Sequence, residues 1–139
     1  MHSTVCRLRC PARLPGIHHL PKTPMNHEPM TDAMQACIDA CHECHNTCAE
    51  TVHHCLSLGG KHASPEHITL MLDCVAICAT SAAFMARQST RHGMVCRVCV
   101  DVCTACADDC ERVGPDDRMM QRCAEVCREC AESCRAMAA

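Results

Sequence analysis

Residues 96–110 read CRVCVDVCTACADDC, placing cysteines at Cys96, Cys99, Cys103, Cys106 and Cys110. The steps of 3, 4, 3 and 4 residues are those of one stripe on an α-helix facing a neighbouring helix. Such positions normally carry Leu, Ile or Val. Here they carry thiols, while Arg97, Asp101, Ala105 and Asp108 fall between them and suit the outer side.

The same rhythm recurs along the chain. Upstream, Cys37, Cys41, Cys44, Cys48 and Cys55 keep it, with Thr51 in the missing place. Near the end, Cys123, Cys127, Cys130 and Cys134 keep it again. Between these lie only Cys74 and Cys78, but the register continues forward through Ser81 and Met85 and back through Met71 and His67. Breaks separate the seams. Gly59-Gly60 ends the first; Ser64-Pro65-Glu66 restarts with an N-cap, a proline in the first turn and an acid beside it. His92-Gly93 interrupts next, and Gly114-Pro115-Asp116-Asp117 is a stop followed by a capped start.

These signals predict four helices, at 31–57, 65–90, 93–112 and 116–137. Their connections are short, so the fold class is all-α: an antiparallel, up-down-up-down four-helix bundle with a cysteine-lined core. No alternating β-branched run competes. The bundle domain is placed at 26–139. Residues 1–25 read as a disordered extension broken by Pro11, Pro15, Pro21 and Pro24, with Met25 as an alternative start.

Composition supports a thiol core. The 139-residue chain has no Trp, no Tyr and one Phe, Phe84, but 18 Cys and 10 Met, so sulfur must fill the interior. A core of thiols alone packs loosely between helices 8–10 Å apart, because Cys lacks the bulk of Leu. No apolar run in the first 25 residues reads as a secretory signal, and no segment is read as a membrane span. The expectation is a cytoplasmic protein with reduced thiols rather than disulfides. All 16 acidic residues lie at or after Glu28, giving that body a net charge of −7 against +4 for the segment before it. With no aromatic to stack a base and no basic recognition helix, nucleic acid is not an expected partner. No nucleophile with a base, phosphate loop or nucleotide fingerprint is present, so the chain is not read as an enzyme.

The thiols point to metal. Zinc is one alternative, since Cys41-His42-Glu43-Cys44 and Cys127-Arg128-Glu129-Cys130 match CxxC. These pairs lie in mid-helix without the usual glycine turn, and a Zn²⁺ on four thiolates leaves two negative charges in a dry core. Cu(I) is soft, prefers thiolate and thioether, and accepts low coordination. If each Cu(I) takes two thiolates and each thiolate bridges two ions, the ratio is about one Cu(I) per core cysteine and the core is neutral. A disulfide-stapled helical protein is the remaining alternative.

The segments 34–44, 96–110 and 123–130 resemble the cytosolic branch of the bacterial copper storage proteins, and the likeness extends over about residues 26–139. The resemblance implies a bundle filled with multiple Cu(I) ions, a homotetramer, and a role in copper buffering, homeostasis and detoxification. It carries over to the sixteen seam cysteines but not to Cys6 or Cys10, and the segment before Met25 departs from it.

Beyond the cysteines, antiparallel order gathers Met34, Met85, His92 and Met137 at one end of the tube and His67, Met71 and Met120 at the other. Neutral soft ligands there suit a loading port. His42, His45, His53 and His54 fall off the seam and read as solvated, as do Asp39, Glu43, Glu50, Arg97, Asp108, Glu125, Arg128 and Glu132. Ile68, Leu72, Val75, Ile77 and Phe84 form a second apolar set, read as a subunit interface.

Overall fold

The structure, a computed structural model, describes residues 29–139. The expectations for residues 1–25, Cys6 and Cys10 among them, lie outside the described residues. Four helices follow in order: α1 (Asp32–Leu58), α2 (Pro65–Ala86), α3 (His92–Val113) and α4 (Arg118–Met137), with a single 3-10 turn at Gly60–Ala63. No strand occurs among the described residues.

Side-chain caps fix three of the four starts. The Thr31 hydroxyl accepts the Met34 N–H at 3.1 Å, and the Ser64 hydroxyl accepts that of His67 at 3.3 Å. The Asp117 carboxylate takes the N–H groups of both Met119 and Met120, at 2.9 and 3.0 Å. The stop after α1 depends on Gly59 and Gly60, whose φ values of 72° and 57° lie in the left-handed region.

Neighbouring helices run antiparallel. Cys37 meets Cys134 while Cys48 meets Cys123, so α1 and α4 run oppositely. Cys55 meets His67 while Cys44 meets Cys74, reversing α2 against α1. His67 meets Asp109 while Cys78 meets Cys99, reversing α3 against α2. Helices α1–α2, α2–α3, α3–α4 and α4–α1 pack side by side, closing a ring around the seam. All sixteen seam cysteines have no exposed surface. Ile38, Val52, Ala82, Ala107, Val113, Ala124, Val126 and Ala131 pack between the helices beside them. Outside, Arg128 bridges Asp108 and Glu111, and Arg122 reaches Glu43.

Three sequence expectations need correction. Helix α2 ends at Ala86 rather than 90, and the break falls at 87–91 rather than at His92-Gly93. Gln88 adopts a φ of 52° and the Ser89 N–H returns to the Phe84 carbonyl at 3.0 Å, a C-terminal device without glycine. Gly93 lies instead in the first turn of α3, where a Cβ would stand 2.8 Å from the Ala139 carbonyl oxygen. Its absence lets the end of the chain approach α3. Finally, α2 is long and apolar enough to cross a membrane by length and composition. Its seam side, with Cys74, Cys78 and Ser81, is nonetheless buried in the bundle.

Candidate metal centre

The 3-4 spacing turns every seam cysteine of one helix inward, and the four-helix ring makes the sulfurs converge. Five groups of four cysteines have all their sulfurs within 4.8 Å of one another. In order along the bundle they are Cys41/Cys99/Cys130/Cys134, Cys78/Cys99/Cys103/Cys130, Cys44/Cys74/Cys78/Cys103, Cys44/Cys48/Cys74/Cys127 and Cys48/Cys106/Cys123/Cys127. Each shares two cysteines with the next. The result is an unbroken column of edge-sharing quartets, with sulfurs 3.5 Å apart at Cys41–Cys134, Cys48–Cys127 and Cys78–Cys103. A shared edge is what a bridging thiolate needs, since its two lone pairs then face two metal positions.

Four seam cysteines flank the column. Cys37 and Cys96 lie beyond it at one end, beside Cys134, and Cys110 lies at the other beside Cys106 and Cys123. Cys55 has left the thiol column altogether. Its sulfur stands 3.3 Å from Met120 Sδ and 3.5 Å from His67 Nε2. Burial, then the Asp117 carboxylate, pushes the Cys55 thiol up to about 11. Within the column, hydrogen bonds between thiols shift neighbours in opposite directions: Cys134 is pushed up chiefly by Cys130 and Cys37, while Cys130 is held down chiefly by Cys103 and Cys134. Metal must displace the thiol protons to create thiolate ligands.

The expected end groups divide. His67, Met71 and Met120 are fully buried at the Cys55 end. His67 Nδ1 donates to the Asp109 carboxylate at 2.6 Å, leaving the Nε2 lone pair toward Cys55. Burial raises the Asp109 carboxyl, but the bonds from His67 and Arg112 outweigh it and hold it below its ordinary value. At the opposite end Met85 is fully buried, and Met137 is half-buried. Met34 and His92 line one small cavity with Met30 and Gln88, and His92 Nδ1 donates to the Ser89 carbonyl at 2.7 Å.

Sequence reasoning missed Asp109, which falls beside the seam and becomes visible only when α2 brings His67 against it. Two off-seam histidines are also engaged rather than merely solvated. His45 bonds the Val75 carbonyl at 2.9 Å, and His54 bonds Asp117 at 2.8 Å. His42 and His53 are exposed, as are all eight charged residues assigned to the wet face. Among the described residues no disulfide occurs and the sixteen cysteines are free thiols, which sets aside the stapled alternative for the bundle.

Comparison with known proteins agrees with this geometry. The Nmul_A1745 protein of Nitrosospira multiformis is 46% identical, over 76% of this chain and 94% of its own, with a TM-score of 0.71. The Cu(I)-bound copper storage protein BsCsp3 of Bacillus subtilis is 36% identical, over 77% and 99%, also with a TM-score of 0.71. A cytosolic copper storage protein from Streptomyces lividans, carrying five coppers, is 28% identical over 76% and 92%, with a TM-score of 0.67. A search of curated proteins found no match. The family model for copper storage protein matches residues 30–139, and the chain belongs to that family.

Proposed function

We propose that this protein stores and buffers Cu(I), at about one ion per seam cysteine. The ligands are Cys37, Cys41, Cys44, Cys48, Cys55, Cys74, Cys78, Cys96, Cys99, Cys103, Cys106, Cys110, Cys123, Cys127, Cys130 and Cys134. The observation that carries this reading is the column of edge-sharing quartets, sealed from solvent and free of countercharge. A Cu⁺ that replaces one thiol proton leaves the core's charge unchanged at every stage of filling. A first Zn²⁺ on one quartet replaces four protons and leaves −2 in a low-dielectric tube. No catalytic role is assigned; the chain acts as a binding protein for the copper homeostasis and detoxification of a cytoplasm.

The soft neutral ligands at the two ends are auxiliary or loading ligands: His67, Met71 and Met120 at one, Met34, Met85, His92 and Met137 at the other. Copper-loading rates of Met34→Leu, His92→Ala and His67→Ala test this, and unchanged rates in all three end it. The storage domain spans 26–139, preceded by a separate segment at 1–25. The assembly is a homotetramer, in which a second copy covers the α2 face where Leu72 is 49% exposed. Leu72→Glu is expected to lower the oligomeric state in sedimentation.

The deciding experiment is an anaerobic Cu(I) titration of the reduced protein against a competing chromogenic chelator, with Zn²⁺ in parallel. Uptake near one Cu(I) per seam cysteine is expected. One or two coppers, or preferential Zn²⁺ uptake, rules the reading out.

A further inference from the structure

Ser81 has no exposed surface, and its Oγ has no hydrogen-bond partner. A buried hydroxyl ordinarily has one, because burial strips its hydration. Four other hydroxyls on these helices find theirs locally. Thr51, Ser57, Thr80 and Thr104 each donate to the carbonyl four residues back, at 2.7–2.9 Å. Ser81 does not take that bond, and it occupies the seam place that follows Cys74 and Cys78.

Register identifies what faces it. Cys44 meets Cys74 at 3.8 Å, so one heptad further along these antiparallel helices Cys37 comes level with Ser81. Cys99 meets Cys78 at 3.9 Å, and three residues on, Cys96 reaches the same level. Cys127 lies 3.8 Å from Cys74 on α4, which runs parallel to α2, so Cys134 shares that level too. Cys37 and Cys134 are 3.7 Å apart, and Cys96 is in hydrogen-bond reach of Cys134. This rung therefore holds three thiols and the Ser81 hydroxyl; of its thiols only Cys134 belongs to a quartet, and Ser133, beside the seam, is in hydrogen-bond reach of Cys37.

We propose that the Cys37–Cys96–Cys134 rung is a three-thiolate terminus of the copper column, and that Ser81 is its positioning residue, donating its O–H to a sulfur that gains charge on loading. The inference rests on the storage reading above. A thiol sulfur is a weak acceptor; a thiolate accepts a charge-assisted bond. The exchange balances simply: Cu⁺ takes the thiol proton's place on sulfur, the proton leaves to solvent, and no electron moves. A hydroxyl oxygen is too hard to serve Cu(I) well, so Ser81 acts as donor rather than ligand. Thr51, the other hydroxyl in the seam, commits its proton to the Thr47 carbonyl at 2.7 Å and cannot do the same.

Anaerobic Cu(I) titration and thermal melting of Ser81→Ala and Ser81→Cys, beside the unchanged protein, test this. The unchanged protein reports separately on storage itself: failure to take up copper ends that reading before the variants are considered. With uptake intact, apo Ser81→Ala is expected to melt higher than the unchanged protein, since an unpaired buried hydroxyl is gone. It should gain less on loading, with its most weakly held copper released about tenfold more readily to chelator. A purely structural role would move apo and loaded forms alike. Ser81→Cys supplies a fourth thiol and should bind one more copper. A lower apo melting temperature in Ser81→Ala, unchanged release of the last copper, or no added copper in Ser81→Cys overturns the proposal.

Discussion

Replacing Cys103 by alanine separates a continuous copper column from sixteen independent thiol sites. Cys103 belongs to two quartets, with its sulfur 3.7 Å from Cys74, 3.5 Å from Cys78 and 3.7 Å from Cys99. Cys55 belongs to none; its near neighbours are Met120 and His67. If each thiolate bridges two ions, losing Cys103 takes a ligand from two coppers at once. Capacity should then fall by about two ions in Cys103→Ala and by at most about one in Cys55→Ala. Each change deletes one buried sulfur, so the apo protein should lose only about 1 kcal/mol and melt a few degrees lower. The bundle therefore survives, and the capacity loss reads ligation rather than unfolding. The assay is the chelator-competed anaerobic titration, with melting curves of the same samples as control. Equal losses of one copper from both variants would refute the edge-sharing column.

Asp117→Ala removes the acceptor for two backbone N–H groups and the partner of His54, and should cost about 1–2 kcal/mol in denaturant unfolding. The His54 hydrogen bond, with the two N–H groups, holds the Asp117 carboxyl below its ordinary value. Its contribution is therefore present above the ordinary carboxylate pKa and disappears as pH falls through the lower folded value, so the deficit of Asp117→Ala should fade in acid. Gly114→Ala places a Cβ 2.7 Å from Met120 Cγ and 3.1 Å from His62, and should destabilise by about 1–3 kcal/mol while displacing Met120 from Cys55. Loading should release about one proton per Cu(I), measurable in weak buffer, and apparent affinity should rise with pH. Loaded protein should exceed apo protein in stability by at least about 4 kcal/mol once free copper is 1,000-fold above Kd, and chelation should reverse the gain.

The helices, their caps and the inward stripe were legible in the sequence. Ser64-Pro65 caps as read, and the capped start expected within Gly114–Asp117 is there, with Asp117 as the cap and the helix opening at Arg118 rather than 116, because capping depends on a few consecutive residues. The thiol seam was equally legible, because a 3-4 spacing fixes which side of a helix a residue occupies before any partner is known. The stop of α2 was misplaced, since Gln88 in the left-handed region carries no glycine to announce it.

Which cysteines meet is a different kind of fact. It depends on the axial shift and rotation of each helix against three others, and no single-helix pattern encodes these. That shift shares edges between quartets along the column and leaves Cys37 and Cys96 outside them at one end, beside Cys134. It also parts Cys55 from its fellow thiols, placing it between Met120 and His67, with Asp109 behind the histidine. The sequence determined by itself that this protein would line a bundle with thiols, because periodicity is local. The tertiary structure alone decided how those thiols are joined, because joining them requires all four helices at once.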